Sequence, residues 1–136
     1  MSGNPIFDVA GSALHAQSTR LNTIASNLAN AENVSGNPQD VYRAREPVFV
    51  VHAIDGNAGT AGVQVAQVVE SQAAPVRRHE PGHPMADGDG YVYAPDIDTV
   101  AQMVNMISAA RSFQANVEVL NTAKELSLLT LNMNAR

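Results

Sequence analysis

The sequence predicts an α+β fold, mainly α, in which long N- and C-terminal helices form a hairpin joined by a small β-containing middle insertion. Apolar residues near the N-terminus recur at alternating spacings of three and four, and about 36 residues near the C-terminus contain neither Pro nor Gly. The residues between these segments are rich in Gly and Pro and hold two β-type runs. We divide the chain into 1–33, 34–95 and 96–136, with the two end segments forming one domain.

The first helix is predicted from about residue 5 to residue 31. Asn4 is a good N-cap, Pro5 suits the first helical position and Asp8 complements the helix dipole. The alternating spacing forms a heptad seam: Phe7, Ala10, Leu14, Gln17, Leu21, Ile24 and Leu28. The only formal charges in this helix are Asp8 and Arg20, whereas a free-standing surface helix normally carries charges on its outer face. We therefore expect neighbouring molecules to cover it.

The middle of the chain is predicted to contain two short strands and irregular loops. Residues 48–51 form a β-type run, and residues 62–69 begin with period-two alternation. The Gly-rich segment 56–62 between them has the composition of a loop or hairpin connection. Prolines and glycines between residues 73 and 90 predict irregular surface structure, and residues 91–93 predict a brief extended piece.

The second helix is predicted from about residue 97 to residue 132, with Asp96 as candidate N-cap and Asp98 in the first turn. Its predicted apolar stripe consists of Val100, Met103, Val104, Ile107, Ala110, Phe113, Val117, Leu120, Leu128 and Leu131. Both helices are much longer than the mean of about 11–12 residues. A chain of 136 residues cannot bury two such rods along their full lengths. Part of each helix must therefore be covered by other subunits or be left exposed.

Composition and charge exclude several classes of function. The net charge is −5 and the largest basic cluster is Arg77-Arg78, so we expect no nucleic-acid binding. The absence of cysteine excludes disulfides, thiolate catalysis and Cys-ligated metal sites. No apolar run approaches the roughly 20 residues needed to cross a bilayer, so we expect no direct membrane insertion. The N-terminal residues lack a basic n-region and a cleavage site, so we expect no cleaved signal peptide.

Two short motifs resemble metal sites but are better explained as turns. The segment 79–83, His-Glu-Pro-Gly-His, matches the zinc motif H-E-x-x-H, which requires a helix to bring both histidines to one face. Pro81 prevents that helix from forming normally. The segment 87–90 begins like a calcium loop, but Tyr91 stands where a third oxygen ligand belongs. We therefore predict no metal ligand, no cofactor and no catalytic residue.

Amide side chains inside both predicted helices are candidates for contacts between subunits. A single amide in a helix is just as well explained as a solvent-facing residue. Because each amide both donates and accepts hydrogen bonds, several together can fix the register of neighbouring helices without burying charge. Our hypothesis is that several of the following make such bonds: Asn22, Asn27, Asn30, Gln114, Asn116 and Asn121.

Two segments resemble the signatures of flagellar rod and hook proteins. Residues 24–31, Ile-Ala-Ser-Asn-Leu-Ala-Asn-Ala, resemble the N-terminal signature. Residues 110–124, Ala-Arg-Ser-Phe-Gln-Ala-Asn-Val-Glu-Val-Leu-Asn-Thr-Ala-Lys, resemble the C-terminal one. Residues 80–87, 90–92 and 95–98 are similar to the proximal-rod subtype of that family, so the likeness covers essentially the whole chain. The departures are small, with Asn33 where the family often has Thr and Phe113 where it often has Tyr.

The resemblance implies a structural subunit of the proximal rod of the bacterial flagellum, and not an enzyme. The terminal helices are then expected to pair as a coiled coil in a helical assembly with other rod proteins and copies of the same chain. That assembly would enclose the export channel, transmit torque and support motility. The family's subunits pass through the flagellar type III export apparatus without signal cleavage and cross the periplasmic space. Nucleic acid is not an expected partner.

We expect fifteen residues of the two helices to make the contacts between subunits: Phe7, Leu14, Leu21, Ile24, Asn27, Leu28, Asn30, Ile107, Arg111, Phe113, Gln114, Asn116, Val117, Leu120 and Asn121. The first helix is expected to be labile in the monomer, because so much of its stability would come from assembly. Two other classes stay open at this point. One is a stand-alone helical binding module that forms a discrete oligomer, and the other is a hydrolase built on His79 and His83.

Overall fold

The computed structural model describes residues 5–54 and 60–134 and confirms the α+β fold. The elements in chain order are α1 (Pro5–Asn30), β1 (Arg45–Ala53), β2 (Ala61–Glu70), β3 (Val76–His79), β4 (Tyr91–Ala94) and α2 (Thr99–Asn134). Both terminal helices therefore form close to their predicted bounds. The predicted N-cap Asn4 and most of the predicted connection at 56–62 lie outside the described residues. Neither described helix is both long and apolar enough to cross a membrane.

The two helices lie side by side and run in opposite directions. Near the end of α1, the Asn27 amide donates a hydrogen bond to Gln102 Oε1, in the first turn of α2, at 3.4 Å. Near the start of α1, Ile6 shares a shallow cleft with α2 residues between Ala115 and Leu126. Helix α2 continues for eight residues past Leu126, or roughly 12 Å at 1.5 Å per residue. The C-terminal end of α2 therefore extends beyond the part of α2 that α1 covers.

Helix α2 begins two residues later than predicted, because its N-cap is Asp98 and not Asp96. The Asp98 carboxylate accepts hydrogen bonds from the backbone N–H groups of Val100 and Ala101 at 3.0 and 3.1 Å. These are the second and third helical positions, whose N–H groups have no partner inside the helix. The Asp96 prediction was wrong because both aspartates have the right chemistry, and only the backbone geometry distinguishes them.

Strands β1 and β2 form an antiparallel hairpin that is longer than the two predicted runs. The register begins with Arg45 opposite Glu70 and ends with Ala53 opposite Ala61, with a bulge between Val48 and Phe49. Arg45 and Glu70 also form an exposed ion pair at 3.1 Å. The hairpin packs against α1 through both of its strands, and no Cα atom of β1 or β2 lies within 8 Å of a Cα atom of α2. Helix α1 is thus placed between α2 and the hairpin.

Strands β3 and β4 form a second antiparallel pair, and β3 was not predicted. Residues 73–90 were expected to be irregular throughout, yet Val76–His79 pair with Tyr91–Ala94. All four side chains of β3 are exposed, whereas Val92 and Ala94 of β4 are fully buried. The Arg77 guanidinium lies 3.5 Å from the centre of the Tyr91 ring, a cation–π contact across the two strands. The predicted extended piece at 91–93 is confirmed as part of β4.

A single bridge joins the segment after α1 to the segment before α2. Ser35 and Tyr93 exchange both backbone hydrogen bonds, at 2.9 and 2.8 Å. This antiparallel pairing places the start and the end of the middle region side by side. The chain therefore leaves the helix pair and returns to it at neighbouring points.

Candidate subunit-assembly site

The start of α2 carries an exposed apolar stripe that points away from α1. Val100, Met103, Val104 and Ile107 are each more than half exposed, and their spacing places them on one side of the helix. A helix of a soluble monomer normally turns such a stripe inward. The sequence predicted these four residues in the apolar stripe of the helix, and in the single chain that part of the stripe is exposed.

The side of α2 that faces α1 consists mostly of small and polar residues. Its less exposed positions recur at alternating spacings of four and three: Gln102, Met106, Ala109, Phe113, Asn116, Leu120, Ala123 and Ser127. Ala109 and Ala123 are the only buried residues among the described side chains of α2. On α1, Ala10 and Ile24 are buried and Gln17 is half-buried, and Ala31, directly after α1, is buried as well, so these positions recur at intervals of seven residues. A search for large apolar side chains could not find this seam, because alanine and amides form much of it.

The last turns of α2 are apolar in more than one direction. Leu126, Leu128, Leu129, Leu131 and Met133 are all at least half exposed. The segment 126–134 contains no charged residue. A helix that is apolar around most of its circumference is normally enclosed by neighbours. Together with the stripe at the start of α2, these residues form what we call the α2 exposed surface.

The structure separates the fifteen predicted interface residues into three groups. The exposed group is Phe7, Ile107, Arg111, Gln114, Val117 and Asn121. The half-buried group is Leu14, Leu21, Leu28, Asn30, Phe113, Asn116 and Leu120, and the buried pair is Ile24 and Asn27. Ile107, Arg111, Gln114 and Asn121 share one exposed side of α2, because they follow helical spacing. Their role in contacts between subunits stays a prediction.

Asn27 makes all of its hydrogen bonds within the chain. Its amide nitrogen donates to the carbonyl of Arg45 at 2.9 Å and to Gln102 at 3.4 Å. Its amide oxygen accepts from the backbone N–H of Arg45 at 2.9 Å and from the Tyr42 hydroxyl at 3.0 Å. The side chain is 1% exposed, so these four bonds meet the full capacity of a buried amide. Asn27 thereby joins α1, β1 and the start of α2.

Two other candidate amides are bonded within the chain. Asn30 donates to the carbonyl of Ser26 at 2.8 Å, and its amide oxygen accepts from the Asn33 amide at 2.9 Å. Asn116 donates to the carbonyl of Ser112 at 2.8 Å. Each amide oxygen can still accept at least one more hydrogen bond. The hypothesis that such amides bond to a neighbouring subunit is compatible with this geometry and stays a prediction.

The two motifs that resemble metal sites are folded as turns. His79 ends β3, and its ring lies against Tyr91 with centroids 4.8 Å apart. His83 Nδ1 accepts a hydrogen bond from the backbone N–H of Met85, in a turn and not in a helix. No cluster of three or more potential metal-binding side chains occurs in residues 5–54 and 60–134.

Asp87 closes the turn between β3 and β4. Its carboxylate accepts hydrogen bonds from the backbone N–H groups of Tyr91 and Asp89 at 2.8 and 3.0 Å, and from the Tyr93 hydroxyl at 3.3 Å. The bond from Tyr91 is the main cause that lowers the pKa of Asp87 below its ordinary value. This carboxylate therefore serves the local fold.

Two family models match the segments that form the terminal helices. The model described as "Flagella basal body rod protein" matches residues 7–36. The model described as "Flagellar basal body rod FlgEFG protein C-terminal" matches residues 89–133. The segments that form both terminal helices are therefore similar to flagellar basal-body rod proteins, and the matches indicate this class of protein.

Curated relatives resolve the class further. Proteins named flagellar basal-body rod protein FlgC from Escherichia coli O6:H1 and Salmonella typhimurium are 58% and 57% identical to this chain over 128 residues. Each alignment covers 94% of this chain and 95% of the relative. The FlgC protein of Agrobacterium fabrum is 33% identical over 92% of this chain and 90% of its own length. The chain belongs to the FlgC family of flagellar basal-body rod proteins.

This membership confirms the resemblance to the proximal-rod subtype, which is the rod protein C group. It also confirms a structural role in the flagellar rod and the prediction that the chain is not an enzyme. The hydrolase and the stand-alone binding module are therefore set aside.

Proposed function

We propose that this chain assembles helically into the proximal rod through the α2 exposed surface. Neighbouring rod proteins and copies of the same chain would cover that surface. The resulting tube encloses the export channel and transmits torque, and so supports motility. Assembly with other rod components follows from the family. We propose in addition that copies of this chain contact one another in the rod.

The observation that carries the proposal is the imbalance between the two helices. Helix α1 lies between α2 and the hairpin, and it buries Ala10, Ala16, Thr23, Ile24 and Asn27. The described side chains of α2 bury only two alanines and leave nine large apolar residues at least half exposed. Exposed apolar area on this scale marks a surface that a partner covers. Each fully covered Leu, Val or Met side chain contributes roughly 1.5–3 kcal/mol relative to remaining exposed.

We further propose that α1 and α2 pair as a coiled coil in the assembled rod. The seven-residue recurrence of Ala10, Gln17 and Ile24 on α1 and of Ala109, Asn116 and Ala123 on α2 supports this geometry. The division of the chain into 1–33, 34–95 and 96–136 belongs to the same proposal. The end segments form the rod core, and the middle region is attached to it.

The export route and the location within the cell envelope come from the family resemblance. We propose passage through the flagellar type III export apparatus without cleavage of a signal peptide, and a final position in the periplasmic part of the rod. The mass of the chain recovered from basal bodies tests the first statement. A mass that has lost an N-terminal segment of signal-peptide length would contradict it.

The experiment that tests the function combines deletion with purification. A strain without the chain should not swim, and an epitope-tagged chain should restore swimming and copurify with detergent-extracted basal bodies. Tagged Val104→Asp chain should be produced at the normal level but be absent from the basal bodies. Normal swimming of the deletion strain would refute the proposed function.

A further inference from the structure

We infer that Asn27 and Ser12 of α1 are positioning residues that hold the β1–β2 hairpin along α1 in one fixed direction. The hairpin is then a rigid part of the subunit and not a mobile arm. Neither residue was assigned this role by the sequence or by the family. The inference concerns the internal geometry of the subunit and goes beyond its proposed place in the rod.

The first attachment is at the base of the hairpin. The Asn27 carboxamide binds both the N–H and the carbonyl of Arg45, as the backbone of a neighbouring strand would. Tyr42, three residues before β1, donates its hydroxyl hydrogen to the same amide oxygen. The Tyr42 hydroxyl also lies 3.0 Å from Ser26 Oγ, so the approach to the hairpin is tied to α1 as well.

The second attachment is near the tip of the hairpin. Ser12 Oγ accepts a hydrogen bond from the backbone N–H of Val63 at 3.0 Å and donates one to the carbonyl of Val9 at 2.7 Å. Gly62 is buried at this point, and a Cβ atom added there would lie 3.3 Å from Ser12 Cβ. The backbone of β2 at Gly62 therefore lies so close to Ser12 of α1 that a larger residue than glycine would be crowded there.

The distance between the two attachments is similar when it is measured along α1 and along β1. Fifteen residues separate Ser12 from Asn27, which is roughly 22 Å along a helix. Val63 is opposite Val51, and six residues separate Val51 from Arg45, which is roughly 20 Å along a strand. The hairpin axis is therefore nearly parallel to α1, with one attachment near each end.

The hairpin depends on these attachments because it has little other support. An isolated two-stranded hairpin is at best marginally stable in water. Val48, Phe49, Val50, Val51, Val63, Val68 and Val69 are all more than one-third exposed, so apolar burial against α1 is incomplete. Two backbone-directed polar contacts then decide the direction of the hairpin.

The test exploits the absence of cysteine from the chain. The pair Ser12→Cys and Gly62→Cys has a Cβ–Cβ separation of 3.3 Å, a few tenths of an ångström below the usual range for disulfides. In basal bodies isolated without reductant, the pair should form an intramolecular disulfide, visible as a mobility shift in a non-reducing gel. Failure to form it in chains that are present in basal bodies would overturn the inference.

The second arm asks whether a covalent attachment can replace Asn27. Asn27→Ala should impair swimming, and adding the cysteine pair should restore swimming without reductant but not with membrane-permeant reductant. Each single cysteine should fail to rescue. Thr19→Ala, which removes a hydroxyl bonded only to its own helix, should leave swimming unchanged. If Asn27→Ala acts only by weakening α1, the distant disulfide will not rescue it, and the inference fails.

The test rests on the proposed function, because its readouts are swimming and basal bodies. The proposed function and the positioning role of Asn27 and Ser12 can nevertheless be refuted separately. Absence of the cysteine-pair chain with native Asn27 from basal bodies in swimming cells would refute the proposed function. Presence of that chain without a disulfide, or a disulfide without rescue, would refute only the positioning role.

Discussion

The carboxamide of Asn27 occupies both backbone hydrogen-bonding groups of Arg45, with the two bonds at 2.9 Å. This one side chain therefore replaces a neighbouring strand at the first residue of β1. Its position within the segment 24–31, which resembles the rod-protein signature, gives that segment a physical role inside the subunit. The signature shapes the junction between helix and hairpin, whether or not it also contacts other subunits.

Replacement of this amide should destabilise the junction. Asn27→Ala removes the hydrogen bonds to the N–H and the carbonyl of Arg45, and a typical hydrogen bond contributes about 0.5–1.5 kcal/mol. We expect reduced recovery of the chain with basal bodies and smaller swimming halos. Thr19→Ala is the matched control on the same helix. Equal recovery of both variants would remove the support for the junction.

A charge on the α2 exposed surface should block assembly. Val104→Asp places a carboxylate where we expect an apolar contact, and burying an unpaired charge is strongly unfavourable. We expect loss of swimming with normal cellular levels of the chain. Val51→Asp makes the same change at a hairpin residue that is 80% exposed, and it should swim normally. A stronger defect in Val51→Asp than in Val104→Asp would place the interface on the hairpin.

Helix content should depend on assembly. The helices contain 26 and 36 residues, but much of the apolar surface of α2 has no partner in the single chain. In proteins, most of the stability of a helix comes from tertiary packing of its apolar face. Circular dichroism of the dilute monomer should therefore show fewer helical residues than the folded subunit contains. A full helical signal that does not change with concentration would contradict the dependence on neighbours.

The turn closed by Asp87 should weaken in acid. Hydrogen bonds lower the folded-state pKa of this carboxyl, so its contribution to stability is fully present above the unfolded value of about 4 and is lost as pH falls through the lower folded value. Protection of the Tyr91 amide hydrogen from exchange, measured relative to the intrinsic exchange rate at the same pH, should therefore fall below about pH 4. Asp87→Asn should abolish this pH dependence, whereas Asp89→Asn, which removes a neighbouring exposed carboxylate, should retain it.

Gly90 should tolerate substitution less well than its neighbour Gly88. Gly90 has a φ of +81°, and an added Cβ would lie 3.0 Å from Pro81 Cβ, whereas Gly88 has open space around it. Gly90→Ala should therefore destabilise the β3–β4 turn by about 1–2 kcal/mol, the cost of a left-handed residue with a side chain. Denaturant unfolding of the two alanine variants compares them directly. Equal effects would show that the turn relaxes.

The helix bounds and the hairpin could be predicted because their signals are local. Pro5 and the heptad spacing mark α1, and the Gly-rich segment 56–62 separates two β-type runs. Strand β3 could not be predicted, because Val76–His79 are all exposed and pair with residues that follow a turn of eleven. Residues 76–79 show no alternation of apolar and polar side chains, so the sequence carries no local signal for this strand.

The assembly site was harder to predict, since hydrophobicity alone does not say which molecule covers a residue. Val104 and Ile107 were predicted in the apolar stripe, and both are exposed in the single chain. The side that faces α1 holds Ala109 and Asn116. The hypothesis that helix amides bond between subunits met the same difficulty at Asn27, whose described hydrogen bonds all lie within the chain. The sequence marked the residue as important, but only the coordinates gave its partners.

The bridge between Ser35 and Tyr93 also bears on how proteins of this architecture can change in size. Because these residues are hydrogen-bonded neighbours, chain inserted between them can leave and re-enter without displacing either terminal helix. Lengthening or exchange of the intervening polypeptide would alter the periphery of the molecule while its two-helix frame kept its alignment. Tolerance to insertion is thus built into one pair of backbone contacts.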